Sequence, residues 1–201
     1  MKGMYHFIVE PLNDRYNNKK EIDGQELILN TELQNHNFVS REGIVKYTPA
    51  DNNTDISVGD KVIVHHNVFR RFRDIRGVEK NSKSYYEENT YFVQPDQIFA
   101  YKKPKKDNWN SCEGFNFIKP IKETDMFSSD FEKPLIGVLY TVDPKFSNLS
   151  KGDLVGFSPK SEYEFIIGED RLYRVPTNSI TIKYEYQGNE EEYNPSWASG
   201  S

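Results

Sequence analysis

The chain predicts an all-β protein: two tandem small β-barrels, the second a degenerate copy of the first, followed by a disordered C-terminal tail. Three observations predict it. Short runs rich in β-branched and aromatic residues are separated by clusters of turn formers. No segment sustains helical apolar periodicity between start and stop signals. Four landmarks occur twice in the same order, which marks duplication of one structural unit. The first set is Phe7-Ile8-Val9-Glu10-Pro11-Leu12, Gly43-Ile44-Val45, Val58-Gly59-Asp60-Lys61-Val62 and Phe92-Val93-Gln94-Pro95-Asp96-Gln97-Ile98. The second is Phe117-Ile118-Lys119-Pro120-Ile121, Gly137-Val138-Leu139, Lys151-Gly152-Asp153-Leu154-Val155 and Tyr173-Arg174-Val175-Pro176-Thr177-Asn178-Ser179-Ile180.

Taken in order, Tyr5 to Val9 reads as the first strand, and Pro11 ends it where a missing amide donor does least harm. Residues 43–48 and 61–66 are further β-rich runs, separated by the turn formers Pro49-Ala50-Asp51-Asn52-Asn53-Thr54-Asp55. Val58-Gly59-Asp60 reads as a tight turn in which glycine supplies a positive φ. Val68 to Ile75 reads as a ragged two-faced strand, 81–89 as a polar loop, and Pro95-Asp96-Gln97 as the turn before Ile98. The proline-broken, charged stretch 102–110 reads as a linker between a first barrel, 1–101, and a second, 111–187. The second offers strands near 115–119, 135–142, 153–158, 162–167, 171–175 and 179–186, with Gly168-Glu169-Asp170 as a hairpin connection. Residues 188–201 combine an acidic triplet with small polar residues and are expected to form a flexible tail.

The copies differ by insertions. Pro11 and Gly43 lie 32 positions apart, Pro120 and Gly137 only 17. Gly59 and Val93 lie 34 apart, Gly152 and Val175 only 23. Insertions at fixed points of a repeated scaffold are where specific binding is usually placed.

Composition narrows the classes. The 201 residues include 13 Tyr and 13 Phe but only 36% hydrophobic residues, which suits small β units with modest cores. A net charge of −5 gives no global reason to bind nucleic acid or an anionic membrane. The single cysteine, Cys112, excludes an intramolecular disulfide and fits a reducing compartment. The N-terminal residues lack a signal-peptide apolar stretch and no run reaches membrane-spanning length, so a cytoplasmic protein is expected.

At these landmarks the chain resembles the GroES-type co-chaperonins. Phe7 to Arg15 is similar to that family's opening strand followed by Pro-Leu-x-Asp-Arg, here Pro11-Leu12-Asn13-Asp14-Arg15. Gly43-Ile44-Val45 resembles its Gly-x-Val strand, Ile56 to Val62 its Val-Lys-Val-Gly-Asp-x-Val, and Gln94 to Ala100 its Glu-Ser-Asp-Ile-Leu-Ala. The likeness spans residues 5–101 and, in degraded form, 115–183; a composition rich in Asn, Lys and Tyr would suit a virus-encoded member. What it implies is binding with no bond chemistry: no enzyme, and no cofactor. Members form a homo-oligomeric ring, a heptamer if the family's number holds, that caps an ATP-driven GroEL-type chaperonin and assists protein folding. A mobile loop between the first two strands docks on the chaperonin's apical domains. The matching window here is 16–40, and its compact apolar stretch, Leu27-Ile28-Leu29, is the implied chaperonin-binding segment. The family's usual Gly-Gly before three aliphatics is replaced by Asp23-Gly24-Gln25-Glu26. Pro11, Leu12, Asp14, Arg15, Gly59 and Asp60 are expected to fix turns and subunit contacts. Each aliphatic buried in a partner contributes about 1.5–3 kcal/mol, and a ring multiplies such weak contacts by effective concentration.

Other readings compete. An assembly barrel that lost chaperonin binding would keep the same landmarks. Arg70, Arg71, Arg73 and Arg76 with Phe69 and Phe72 interleave basic and aromatic residues as a nucleic-acid strip does, but the acidic balance disfavours it. His65 and His66, adjacent on a strand, should point to opposite faces and show no metal-ligand spacing. Cys112 has no sequence partner for nucleophilic chemistry and reads as an inert thiol.

Overall fold

The structure is a computed structural model that describes residues 3–16, 19–22, 25–28, 39–123, 131–185 and 190–194. It is all-β, and divides into two compact units, Met1–Asn108 and Trp109–Ser201. Among the described residues no helix is long and apolar enough to cross a membrane.

Unit 1 contains β1 (Phe7–Pro11), β2 (Lys19–Ile22), β3 (Gln25–Ile28), β4 (Glu42–Tyr47), β5 (Lys61–Val64), β6 (Arg71–Arg73), β7 (Glu79–Asn81), β8 (Tyr85–Glu87), β9 (Thr90–Val93) and β10 (Ile98–Lys102). Its principal sheet runs in the order β10-β5-β4-β1-β9-β8. Phe7, Ile8 and Val9 are all buried, so β1 is covered on both faces, as a continuous apolar run requires. Unit 2 contains β11 (Trp109–Ser111), β12 (Phe115–Lys122), β13 (Glu132–Thr141), β14 (Leu154–Phe157), β15 (Tyr163–Ile167), β16 (Asp170–Pro176) and β17 (Ile180–Lys183). Its sheet runs β17-β14-β13-β12-β16-β15. Ile118, Leu139, Leu149, Val155, Phe157 and Val175 form its core.

The two strand orders correspond one for one, and so does the register. Pro11 stands opposite Gly43 and Pro120 opposite Gly137. An irregularity falls between Ile8 and Val9 in one unit and between Phe117 and Ile118 in the other. Gly59 has φ +88° and Gly152 φ +92°, the left-handed turn that glycine adopts without a Cβ penalty. Their amides donate to the carbonyls of Val45 and Leu139, each at 2.8 Å.

Several sequence expectations are corrected. In the window 16–40, expected to be a flexible loop, Lys19–Ile22 and Gln25–Ile28 pair as β2 and β3, a two-stranded sheet of their own with Lys20 opposite Leu27 and Lys19 opposite Ile28, while 17–18, 23–24 and 29–38 lie outside the described residues. Val68 to Ile75 is not one strand: only Arg71–Arg73 is, because Val68 and Phe69 turn into the core, where Phe69 meets Tyr91 edge-on at 4.9 Å. The expected polar loop 81–89 holds the end of β7 and all of β8, with Asn89 at φ 57° turning the chain into β9. The linker 102–110 shrinks from both ends, since β10 runs to Lys102 and β11 begins at Trp109.

The expected tail 188–201 is also corrected over Glu190 to Asn194. Glu192 bridges Ile121, the Lys122 amide donates to the Glu191 carbonyl at 2.8 Å, and the Tyr193 amide donates to the Pro120 carbonyl at 2.9 Å. Lys119 and Lys122 pair with Glu192 and Glu191, so the acidic triplet that suggested disorder is what fastens the segment to β12.

Candidate docking site on the first unit

Both insertions of unit 1 leave the principal sheet at one place. The first is closed at its neck by an antiparallel bridge between Tyr16 and Val39, both buried, and by the Ser40 amide donating to the Arg15 carbonyl at 2.9 Å. The second is the β6–β7 hairpin, with Arg71 opposite Asn81 and Arg73 opposite Glu79. Arg15 and Tyr16 tie the two together. Arg15 Nε donates to the Phe69 carbonyl at 3.1 Å and Nη1 to Asn81 Oδ1 at 2.9 Å. The Arg71 amide donates to Tyr16 Oη at 2.6 Å, and the Arg71 guanidinium lies 5.1 Å over the Tyr16 ring.

Arg15 is held between aromatic faces, 5.6 Å from the Tyr85 ring and 5.3 Å from the Tyr91 ring, the geometry of a cation–π contact. Burial lowers its pKa from the ordinary value, and the neighbouring Arg71 charge adds to that; an arginine nonetheless stays charged. Burial likewise pushes the Tyr91 hydroxyl up to about 12, against the opposing pull of Arg15. The cluster is a positioning device: it fixes where both hairpins emerge.

The other sequence-selected residues lie apart from chemistry. Pro11 packs opposite Gly43, the Leu12 amide donates to the Glu42 carbonyl at 3.0 Å, and Asp14 is exposed. Gly59 and Asp60 form the turn, where Asp60, only 1% exposed, accepts from the Ser57 amide at 2.8 Å and from Lys103 at 2.7 Å. Unit 2 repeats the arrangement with Asp153, the Ser150 amide at 2.7 Å and Lys183 at 2.6 Å. The lysines come from different register positions. Lys183 stands opposite Val155, whereas its counterpart position, opposite Val62, is occupied by Tyr101. Landmark matching therefore missed both. Leu27 and Ile28 lie in β3, and Leu29 lies outside the described residues.

Partial burial disfavours the charged Asp153 carboxylate, but the Lys183 hydrogen bond, the Ser150 amide and the Lys183 charge outweigh it and hold the pKa below the ordinary 3.8. The folded state thus binds this proton less readily than the unfolded chain does. The pair's stability is whole above the ordinary value and is lost as pH falls through the depressed one. Asp153→Asn should therefore flatten the acid limb of stability against pH, measured by urea unfolding between about pH 5 and 2. An unchanged acid limb would contradict the pairing.

Among the described residues Phe69 and the nearby arginines do not assemble a base-stacking strip, and no metal site forms. Phe69 is fully buried and unavailable for base stacking, and Arg71 pairs with Glu79 at 2.7 Å. His65 and His66 follow the end of β5 rather than lying in a strand, and their rings stack at 4.2 Å instead of pointing to opposite faces. Among the described residues no group of three or more His, Cys, Asp or Glu could hold a metal ion. Burial pushes the Cys112 thiol up to about 12, so the thiolate that reactivity needs is scarce near neutrality. In unit 2 a groove of about 470 Å³ lies between Lys119, Val138, Lys151 and Glu192. One of its two lysines is already engaged: Lys119 bonds Asp170 at 3.0 Å and Glu192 at 2.9 Å.

No protein-family model and no curated protein matches the chain.

Proposed function

We propose that the protein is a binding protein of the co-chaperonin kind, a homo-oligomeric ring that caps a GroEL-type chaperonin through the insertion between β1 and β4. One observation carries the reading: among the described residues β2 and β3 pair with each other and with no other strand, while the neck of the insertion is closed by the bridge between Tyr16 and Val39. A strand pair that contributes nothing to the core sheet is dispensable for folding and free to serve recognition. The Pro-Leu-x-Asp-Arg and Val-Gly-Asp-x-Val landmarks supply the choice of partner, and Leu27, Ile28 and Leu29 supply the apolar anchor. Docking of a preformed hairpin costs less ordering entropy than docking of an unstructured strap.

Ile28→Asp should abolish capture of the full chain by a GroEL-type chaperonin in the presence of ATP, read by native mass measurement. Melting temperature and native mass of the free protein should not change. Proteolysis offers an independent reading: cleavage between residues 16 and 40 should be suppressed once chaperonin and nucleotide are added. Capture unaffected by Ile28→Asp would turn the interpretation toward an assembly protein that uses the same scaffold without a chaperonin.

A further inference from the structure

We propose that the β6–β7 hairpin is a second docking element, one that seats an apolar tip in an acidic-rimmed groove of the same partner protein; this rests on the co-chaperonin reading. The tip is held rigidly. Asp74 Oδ1 accepts from the Arg76 and Val78 amides, each at 2.9 Å, the Asp74 amide donates to the Val78 carbonyl at 3.0 Å, and Gly77 takes φ +76°. The stem is anchored by Tyr16 at the Arg71 amide, by Arg15 at Asn81 and by Ser82, whose hydroxyl donates to the Val68 carbonyl at 2.6 Å. On this frame Ile75 is wholly exposed, and Val78 and Phe72 are 50% and 40% exposed. A folded chain that commits these six backbone and side-chain hydrogen bonds to holding an isoleucine in water gains nothing in stability from doing so.

Unit 2 provides the comparison. There β14 ends at Phe157 and β15 begins at Tyr163, with no strand pair between, whereas in unit 1 the interval from Val64 to Tyr85 contains β6 and β7. The scaffold closes without the hairpin. Charge then selects the partner. Residues 70–83 carry six Lys or Arg and two Asp or Glu, net +4 against −5 for the whole chain, leaving −9 elsewhere. Arg73, Arg76 and Lys80 are exposed around the tip. A basic collar on an otherwise acidic molecule fits an acidic rim and directs this end of the unit toward it.

A protein groove fits better than the other polyanions. Nucleic acid would engage the collar but leave Ile75 and Val78, which have no aromatic face, in water. An anionic bilayer would bury them, yet would repel the −9 carried by the rest of the chain. Because the two insertions share the Arg15–Tyr16 anchor, one partner surface meets both, and binding at one raises the effective concentration of the other.

The test uses the full chain with a GroEL-type chaperonin and ATP, comparing wild type, Ile28→Asp, Ile75→Asp and the double variant Arg73→Glu, Arg76→Glu. Ile75→Asp should weaken capture about tenfold or more, as loss of one buried aliphatic anchor does. The charge reversal should weaken it and reduce its dependence on salt. Melting temperature should stay unchanged for both, since none of these side chains is buried. Capture lost with Ile28→Asp but unchanged with Ile75→Asp and the charge reversal overturns the second element and leaves the first standing. Absence of wild-type capture overturns both. Binding of single-stranded RNA or phosphatidylserine vesicles that the charge reversal removes, with capture unaffected, assigns the hairpin to that polyanion and overturns the protein groove.

Discussion

Gly43→Val and Gly137→Val should each prevent stable folding of the unit that carries the substitution, and the corresponding alanines should destabilise it by about 2–3 kcal/mol. A Cβ at Gly43 would stand 2.5 Å from Val9 Cγ1 and 2.8 Å from the Glu10 carbonyl oxygen, with Phe69 Cζ at 3.2 Å. At Gly137 it would stand 2.5 Å from both Ile118 Cγ2 and the Lys119 carbonyl oxygen. The nearest obstruction therefore includes backbone of the neighbouring strand, which cannot swing aside as a side chain can. Relief requires β1 to separate from β4, or β12 from β13, at the residue paired with proline. Marginal total stability makes a loss of this size visible as a fall in melting temperature of roughly 10 °C or more. Gly156→Ala is the control, because the nearest atoms its methyl would meet are side-chain atoms of Tyr184 and Ile182, none closer than 3.3 Å. A Gly137→Ala protein that melts with the Gly156→Ala protein would refute the steric account.

Lys103→Met should cost about 3 kcal/mol, more than a surface ion pair ever returns. The reason is the partner it strands. Asp60 is 1% exposed and one of its oxygens, Oδ2, receives both the Ser57 amide and the Lys103 ammonium. Removing the ammonium leaves a buried carboxylate with its charge uncompensated, the expensive half of a broken buried pair. Methionine keeps the length and apolar stem of the side chain, so loss of packing is not the cause. The double change Asp60→Asn, Lys103→Met should recover part of the loss, since the amide oxygen can still accept from Ser57 without a buried charge. Urea unfolding of the four proteins closes the cycle. A single Lys103→Met protein as stable as the wild type would show that solvent, and not the lysine, neutralises Asp60.

Some of this was legible in the residues and some was not. The four landmarks located β1, β4, β5 and β9 and their counterparts because each depends on local chemistry: a proline at a strand end, a glycine in the left-handed turn, a β-branched run. The pairing of β2 with β3 also has a local sequence signal, Asp23-Gly24 between Lys19–Ile22 and Gln25–Ile28, the dipeptide favoured in two-residue hairpin connections. The β6–β7 hairpin had almost none. Arginine and phenylalanine alternate in Arg70-Arg71-Phe72-Arg73 without revealing that Phe69 turns inward onto Tyr91, some twenty residues on. The acidic triplet near the C-terminus misled for a related reason: like charges in sequence imply repulsion until opposite charges from β12 are brought beside them.

What the sequence alone determined was the β class, the duplicated plan and the places where unit 1 is longer than unit 2. Those follow from propensities and turn requirements that act over a few residues. Only the tertiary structure decided that the two long insertions emerge together, held by Arg15 and Tyr16 against Phe69, Asn81 and Arg71. It also decided that lysines from two different register positions neutralise Asp60 and Asp153. These contacts join residues thirty or more positions apart, and the physical selection among such partners is made by burial, which no local pattern encodes.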